Sequence, residues 1–536
     1  MIVRTCLTAF AGLLAVLFFK LYRVRSHVRS SQKQGLPMPP HSFLFGHLQL
    51  VADIVKNMPP YAHGVYVANA IRQKYPHLDT AFYLDVWPVG KPYLMVINPD
   101  MVHQFTQANQ LPKDPGLTNF LAPLAGKQNL VTMEGAPWKT WRRIFNPGFS
   151  GAHILSLVPG MVDKIEVYRK KLERHAEKGG LFFLEEMVLN LTVDIIGGAV
   201  MDHDFRSQSH YNDMTSALRH QIEWSSTGVE INPFQMFNFL RPFVNMYNTY
   251  RMNRYLYPLL SKRYASISGP DGGNPGKSVI DLALSAYRSE NPSAASRDIP
   301  PAFTEAAISQ IKLFIFAGHD TTSSATIFTY DLLSKHPECL AKVRAEHDSV
   351  FGPDPSHTGA LLREKPHLLN QLTYTLACIK EAMRIYPVVA CLRIGQPNFT
   401  LVSPSGTHFP TANTIVLGDH YGLHHNPSVW PDAETYLPER WLVGEGDPLY
   451  PPKHAWRPFE RGPRNCIGSE LALTEMKIIL AMTLRSFDIQ DAYAAFDERR
   501  GNPKGWQVNG SRTYMTRGAG AGHPADGYPC TVRLRG

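Results

Sequence analysis

The chain has 536 residues, 44% of them hydrophobic and 18% charged, with 39 Gly and 42 Pro. A charged share below the roughly 25% of an average soluble domain, with a mean hydropathy of −0.20, excludes collagen-like, disordered, small disulfide-scaffold and multi-span membrane classes. The net charge of +9 admits nucleic acid, a membrane surface or an acidic partner.

The charge is concentrated at the start. Arg4, Lys20, Arg23, Arg25, Arg29 and Lys33 all precede the first acid, Asp53, so the rest of the chain carries only three of the nine net charges. No basic run follows in the body, which argues against nucleic acid as a partner. Thr5 to Phe19 is uncharged and mostly apolar. With Leu21, Tyr22 and a snorkelling Lys20 it makes a run of about 18 residues, near the lower limit for a spanning helix. A cleaved signal peptide is the alternative, but it needs small residues at the cut, where this chain has Phe18-Phe19-Lys20-Leu21-Tyr22-Arg23. The expected organisation is a retained transmembrane anchor over 1–23, a basic, proline-rich hinge over 24–40, and one body over 41–536. The basic flank places that body on the cytoplasmic side. Six cysteines without a C-x-x-C pair fit reduced thiols rather than a disulfide framework or structural zinc.

Within the body the pattern is mainly α, a large helical body with a small β-rich region. Phe82–Val86, Tyr93–Ile97 and Phe399–Val402 alternate as short strands. In Gly135–Arg143, Trp138 and Arg142 are four apart and share a helical face, as a Trp packed over a basic stem would. Phe234–Leu260 is rich in Phe, Tyr, Met and Leu, fit for the core or for the bilayer edge, and Ser268–Gly276 reads as a loop. Residues 302–336 lie between Pro300-Pro301 and Pro337 and predict one long helix with Thr304 as N-cap. Inside it, Ala317-Gly318-His319-Asp320-Thr321-Thr322 sets polar groups among apolar flanks, which calls for local satisfaction or for a break at which Asp320 caps a new helix. A second helix precedes Pro387, with Glu381 and Arg384 three apart, either an exposed ion pair or part of something larger. Thr435–Trp441 adds Arg440 in a proline-bounded loop. Phe459-Glu460-Arg461-Gly462-Pro463-Arg464-Asn465-Cys466-Ile467-Gly468 then sets a cysteine between a Gly, Pro and Arg loop and the helix Leu471–Leu484. Arg461, Arg464 and the amide end of that helix would stabilise a thiolate, and Gly462 and Gly468 would let a flat ligand and backbone approach closely.

These segments, in this order, resemble the cytochrome P-450 family of haem-thiolate enzymes: W-x-x-x-R at Trp138, A/G-G-x-D/E-T at Ala317, E-x-x-R at Glu381, P-E-R-F/W at Pro438 and F-x-x-G-x-R-x-C-x-G at Phe459. The resemblance implies the cytochrome P-450 fold with an N-terminal membrane anchor helix. It makes Cys466 the axial ligand of haem iron and places Phe459 in the haem-binding loop. Arg464 would pair with one haem propionate, Trp138 and Arg142 with the other, and Arg393 is a further propionate candidate. Asp320 and Thr321 become the acid–alcohol pair that relays protons to dioxygen, and Glu381, Arg384 and Arg440 one structural network. Glu460 departs from the family, which usually has a small residue there. The same string is shared with fungal members, so it marks a subgroup.

The implied activity is a monooxygenase that inserts one atom of O2 into an apolar small molecule of fungal secondary metabolism. NADPH-cytochrome P-450 reductase would supply the electrons, at a basic patch of Lys139, Arg143 and Arg461, and the location would be the endoplasmic reticulum membrane. Substrate contacts are expected near 110–130, 205–250, the long helix before Ala317, Val388–Leu392 and 510–518. Two alternatives stand beside this. A haem-thiolate isomerase or dehydratase often lacks the acid–alcohol pair, and a non-catalytic haem sensor needs the cysteine but no proton relay.

Overall fold

A computed structural model describes residues 2–225, 238–267, 278–290, 299–502, 504–517 and 520–535. The chain divides into two compact units. The expected loop Ser268–Gly276 and part of the aromatic stretch from Phe234 lie outside the described residues.

The first unit comprises Met1–Asp114, Ala390–Ala433 and Pro452–Arg464. It begins with a helix over Ile2–Lys33, so the helix runs ten residues past the expected end at 23. Its apolar side chains, Leu7, Phe10, Leu13, Leu14, Leu17, Phe18 and Phe19 among them, are exposed, and its length and hydropathy suffice to cross a membrane. Arg25, near its end, is fully buried. Its guanidinium pairs with Asp85 and donates to Trp87 O at 2.7 Å, while His41 Nε2 sits 3.0 Å from the same carboxylate. One of the six leader cations thus neutralises a buried acid. Pro37 O accepts from the Tyr83 amide at 3.0 Å, so the proline segment is docked along a strand.

That strand opens a four-stranded sheet. Ala81–Leu84 pairs antiparallel with Tyr93–Val96, which runs parallel to Ile415–Gly418, and Cys391–Ile394 closes the far edge antiparallel. Ala81–Leu84 is buried on both faces rather than alternating, because Ala68, Ile71 and Leu78 cover one side of it. The third expected strand, Thr400–Val402, forms a separate hairpin with His408–Pro410.

The second unit comprises Pro115–Val389, Glu434–Pro451 and Asn465–Gly536 and is mostly helical. Its axis is the helix Pro301–Lys335, 35 residues long and unbroken, about 50 Å at 1.5 Å per residue. Pro300 and Pro301 set its start, Pro at the first turn being preorganised for a helix. Thr304 is therefore not the cap; its hydroxyl donates back to Pro300 O at 3.1 Å. Nor does Asp320 cap a new helix. The polar run stays helical because hydroxyls in and after it find carbonyls one turn back: Thr321 on Ala317 O at 2.8 Å, Ser323 on Asp320 O at 2.9 Å and Thr326 on Thr322 O at 2.8 Å. The helix Leu184–Met201 packs along it, and Gly318 meets Ile196 there. A Cβ on Gly318 would lie 2.8 Å from the Ile196 side chain. Thr373–Ile385 and Ser469–Thr483 also pack on the long helix.

Candidate active site

Cys466 stands three residues before the helix Ser469–Thr483, with Gly468 at its N-cap. Of the six cysteines only Cys466 and Cys6, in the N-terminal helix, are exposed. Although the residue is exposed, desolvation by the protein atoms packed around the sulfur pushes its thiol up, against the Gly468 amide and the charge of Arg142, which pull it down. Within this unit the guanidinium that acts on the sulfur is that of Arg142; Arg461, in the other unit, donates its Nε to Trp456 O at 3.2 Å.

Arg142 lies on the helix Gly135–Phe145, one turn beyond the buried Trp138. It donates through NH1 to Asn465 O at 2.8 Å and through NH2 to Asn465 Oδ1 at 2.9 Å. Nε donates to Asn146 Oδ1 at 2.9 Å. The bidentate grip on Asn465 fixes the residue directly before the cysteine. Exposed Lys139 and Arg143 stand on the same helix.

Glu381, Arg384 and Arg440 meet, all fully buried. Arg384 donates Nε and NH2 to Glu381 Oε2 and Oε1 at 3.0 and 2.8 Å. Arg440 Nε donates to Oε1 at 3.0 Å and the Leu437 amide to Oε1 at 3.1 Å. Trp441 Nε1 joins at 3.0 Å on Oε2, a member that residue spacing does not reveal. Arg384 NH2 also reaches Thr435 O at 3.0 Å, so the network holds the whole of Thr435–Trp441.

The remaining cysteine-loop residues belong to the first unit. Phe459 packs edge-on against Trp456, with ring centroids 6.0 Å apart. Gly462 has φ +84°, and a Cβ there would lie 2.7 Å from Gln107 Cγ and 3.0 Å from Thr106 O. Neighbouring backbone and the positive φ thus both require glycine at this position. Glu460 pairs with Arg457 and with His420 Nε2 at 3.2 Å. Burial favours its neutral form, but His420 and Arg457 hold the carboxyl down at about 2. The residue that departs from the family pattern is therefore a half-buried counter-ion to Arg457 and His420.

Arg393 is buried in the strand Cys391–Ile394, and Lys113 pairs with it in an isolated antiparallel bridge. Burial, then the charge of Arg393, pushes the Lys113 ammonium down to about 8, with Arg464 acting in the same sense and Cys391 and Glu460 opposing. Sequence reasoning missed Lys113, which lies in no motif. A lysine isolated between Pro112 and Asp114 carries no pattern to read.

Asp320 and Thr321, adjacent on the long helix, point to different partners. Thr321 bonds its own helix as above. Asp320 is buried, with Oδ1 3.2 Å from His523 Nε2. His523 Nδ1 lies 2.6 Å from Glu185 Oε1 and 3.3 Å from Ser324 Oγ. Burial opposes charge on both residues of the pair. Nonetheless His523 keeps Asp320 below the usual carboxylate range, and Asp320 with Glu185 holds the imidazole protonated well above the usual histidine range. His523 stands on the short strand Gly522–Pro524, and Glu185 on the first turn of Leu184–Met201. The only sequence trace of either is the acidic first turn, Glu185-Glu186, which suits a helix N-terminus anyway.

Of the expected substrate-contact regions, 226–237 and 518–519 lie outside the described residues. In the aromatic stretch, Phe239, Leu240, Phe243, Met246, Tyr247, Tyr250 and Tyr257 are exposed along one face, and Met252, Leu256 and Leu260 are buried on another.

A model of the cytochrome P-450 family matches residues 37–496. Cytochrome P-450 monooxygenase polC of Polytolypa hystricis is 49% identical over 524 residues, 97% of this chain and 93% of that protein. Cytochrome P-450 monooxygenase acrF of Aspergillus aculeatus is 36% identical over 463 residues, 82% of this chain and 90% of its own. The crystal structure of the haem domain of cytochrome P-450DA superposes with a TM-score of 0.71 over 94% of this chain and 98% of that one, at 22% identity, and shares the fold. With the cysteine loop, the buried E-x-x-R network and the acid on an unbroken long helix in view, these matches lead to one conclusion: the chain belongs to the cytochrome P-450 family of haem-thiolate monooxygenases.

Proposed function

We propose that this monooxygenase acts on an apolar small molecule of fungal secondary metabolism, a polyketide or terpenoid in class, at the endoplasmic reticulum with NADPH-cytochrome P-450 reductase as its electron source. The chain's residues suit haem. Cys466 offers the one exposed thiol outside the N-terminal helix, and Lys113 feels the like charges of Arg393 and Arg464 with Glu460 as the carboxylate opposing them, a cationic surplus that suits propionates. When bound, haem supplies dioxygen activation, which a thiolate ligand favours by pushing electron density toward O–O cleavage. Cys466 is assigned as that ligand, and Arg464, Arg393, Trp138, Arg142 and Phe459 would hold the group. Arg142, through Asn465, keeps the cysteine in place.

The observation that carries oxygen insertion rather than isomerisation is Asp320. A carboxylate buried on the long helix is a costly thing to keep, and it is kept charged beside Thr321, ready to accept and pass protons. Reducing one oxygen atom to water consumes two protons, whereas an isomerisation consumes none. The exposed face from Phe239 to Tyr257 supports contact with the bilayer edge, where an apolar substrate partitions. Lys139 and Arg143, exposed on the helix whose Arg142 holds Asn465, offer an acidic reductase a docking patch.

The test is reductase-supported turnover with metabolite profiling of host extracts. We expect NADPH consumption coupled to an oxygenated product, slowed by added salt and by Lys139→Glu with Arg143→Glu. Product formation without NADPH or reductase would instead establish the isomerase reading.

A further inference from the structure

The acid of the long helix is not alone. Asp320, His523 and Glu185 come from three separate elements and form a line in which side-chain exposure rises from 4% at Asp320 to 15% at His523 and 19% at Glu185. The line thus runs from the buried helix toward solvent. Both ring nitrogens of His523 face carboxylate oxygens, and an imidazole donates from both only when it is doubly protonated. An arginine or lysine would neutralise Asp320 as well, but could not give up a proton near neutral pH.

We propose that His523, clamped as an imidazolium by Glu185, is the proton donor that recharges Asp320 during turnover. This rests on the assignment of Asp320 to proton delivery. In the step, the Nε2–H bond of His523 breaks and an O–H bond forms at Asp320 Oδ1, so an ion pair becomes a neutral pair. Asp320 passes that proton to the reaction and returns to carboxylate. The ring, left neutral with its Nδ1–H on Glu185, regains one proton from water. Each passage moves one proton from solvent to the reacting side, so two passages supply the two protons that one turnover consumes. Glu185 does not touch the reaction; it is a positioning residue, fixing the ring and favouring its charged form.

The other groups around the line do not replace it. His319, next to Asp320, is kept neutral by burial, with its Nδ1 2.7 Å from Ile315 O. Arg219, which acts by charge on Glu186 and Glu185, donates to Asn190 Oδ1 at 2.8 Å.

The experiment compares wild type with Glu185→Gln, His523→Gln and Asp320→Asn, each as ferric holoenzyme and with reductase. Removing the Glu185 charge should move the basic limb of the turnover profile by roughly one pH unit toward acid. His523→Gln should abolish that limb and divert NADPH to peroxide, lowering product per NADPH at least tenfold. A second readout does not depend on turnover. A histidine held protonated in the folded state adds stability that is complete below its unfolded pKa of about 6.5 and is lost as pH rises through the folded value. The wild-type thermal midpoint should therefore fall over that range, and less so in Glu185→Gln. An unshifted basic limb in Glu185→Gln, or His523→Gln as well coupled as wild type, would overturn the relay if Asp320→Asn does uncouple. If Asp320→Asn leaves coupling intact, the assignment of Asp320 itself fails. Should His523→Gln not retain haem, Glu185→Gln, altered at a partly exposed site, decides alone.

Discussion

Glu381 accepts five hydrogen bonds from Arg384, Arg440, Leu437 and Trp441 in a place with no exposure. One carboxylate thus serves two buried guanidiniums. Removing one partner of a buried ion pair typically costs about 3–5 kcal/mol, because the surviving charge is left without compensation. Glu381→Ala is therefore expected to lose at least that much in denaturant unfolding of the holoenzyme, and a loss under 1 kcal/mol would show that water compensates the arginines. Glu460 permits a test by pH. Its carboxyl titrates at about 2 in the fold against 4.5 unfolded, burial being outweighed by His420 and Arg457. A depressed folded pKa gives stability that is present above pH 4.5 and lost as pH falls toward 2. In Glu460→Gln the acid limb of the stability curve should flatten across that window, read from thermal midpoints at stepped pH. The sequence marked Glu460 as odd, yet its reason lies in His420, forty residues earlier, and in a positive backbone φ of 54° that no pattern announces.

At the scale of elements, the long helix was legible from its bounding prolines and its length, and its polar turn could be read two ways. Hydroxyls that bond back along the same helix decide that question locally, so a break is unnecessary. Gly318 had a second role that only packing shows, the close approach of Leu184–Met201. Gly318→Val should cost about 1–3 kcal/mol by overpacking against Ile196, and Ile196→Ala should recover part of it, as measured by thermal unfolding of the single and double variants. The N-terminal helix was legible from composition, but its end was not. It extends to Lys33, and Arg25 is drawn into the first unit by Asp85, a partner sixty residues away. Deleting residues 2–23 should convert the protein from carbonate-resistant to carbonate-extractable in microsomes, with residual vesicle binding lost on Phe243→Ser and Tyr250→Ser. Full carbonate resistance after the deletion would contradict an anchor in that helix.

At the scale of the molecule, the net charge of +9 divides into six cations that precede Asp53, one of which, Arg25, pairs with a buried acid, and a net three in the rest of the chain. Motifs with fixed local spacing, such as E-x-x-R and the cysteine loop, were readable because each lies within a single turn or loop. The parts that were not readable join distant segments: Lys113 with Arg393, Trp441 with Glu381, and His523 with Glu185 and Asp320. Such pairs have no spacing to recognise, since only the fold brings them into contact. All of this serves one claim, that Cys466 binds haem iron as a thiolate. The most direct measurement is the carbon-monoxide difference spectrum of the dithionite-reduced protein. The account predicts the red-shifted Soret band of a thiolate-ligated haem in wild type and its loss in Cys466→Ala. A wild-type band at the position of a histidine-ligated haem, or a thiolate band that survives Cys466→Ala, would contradict it.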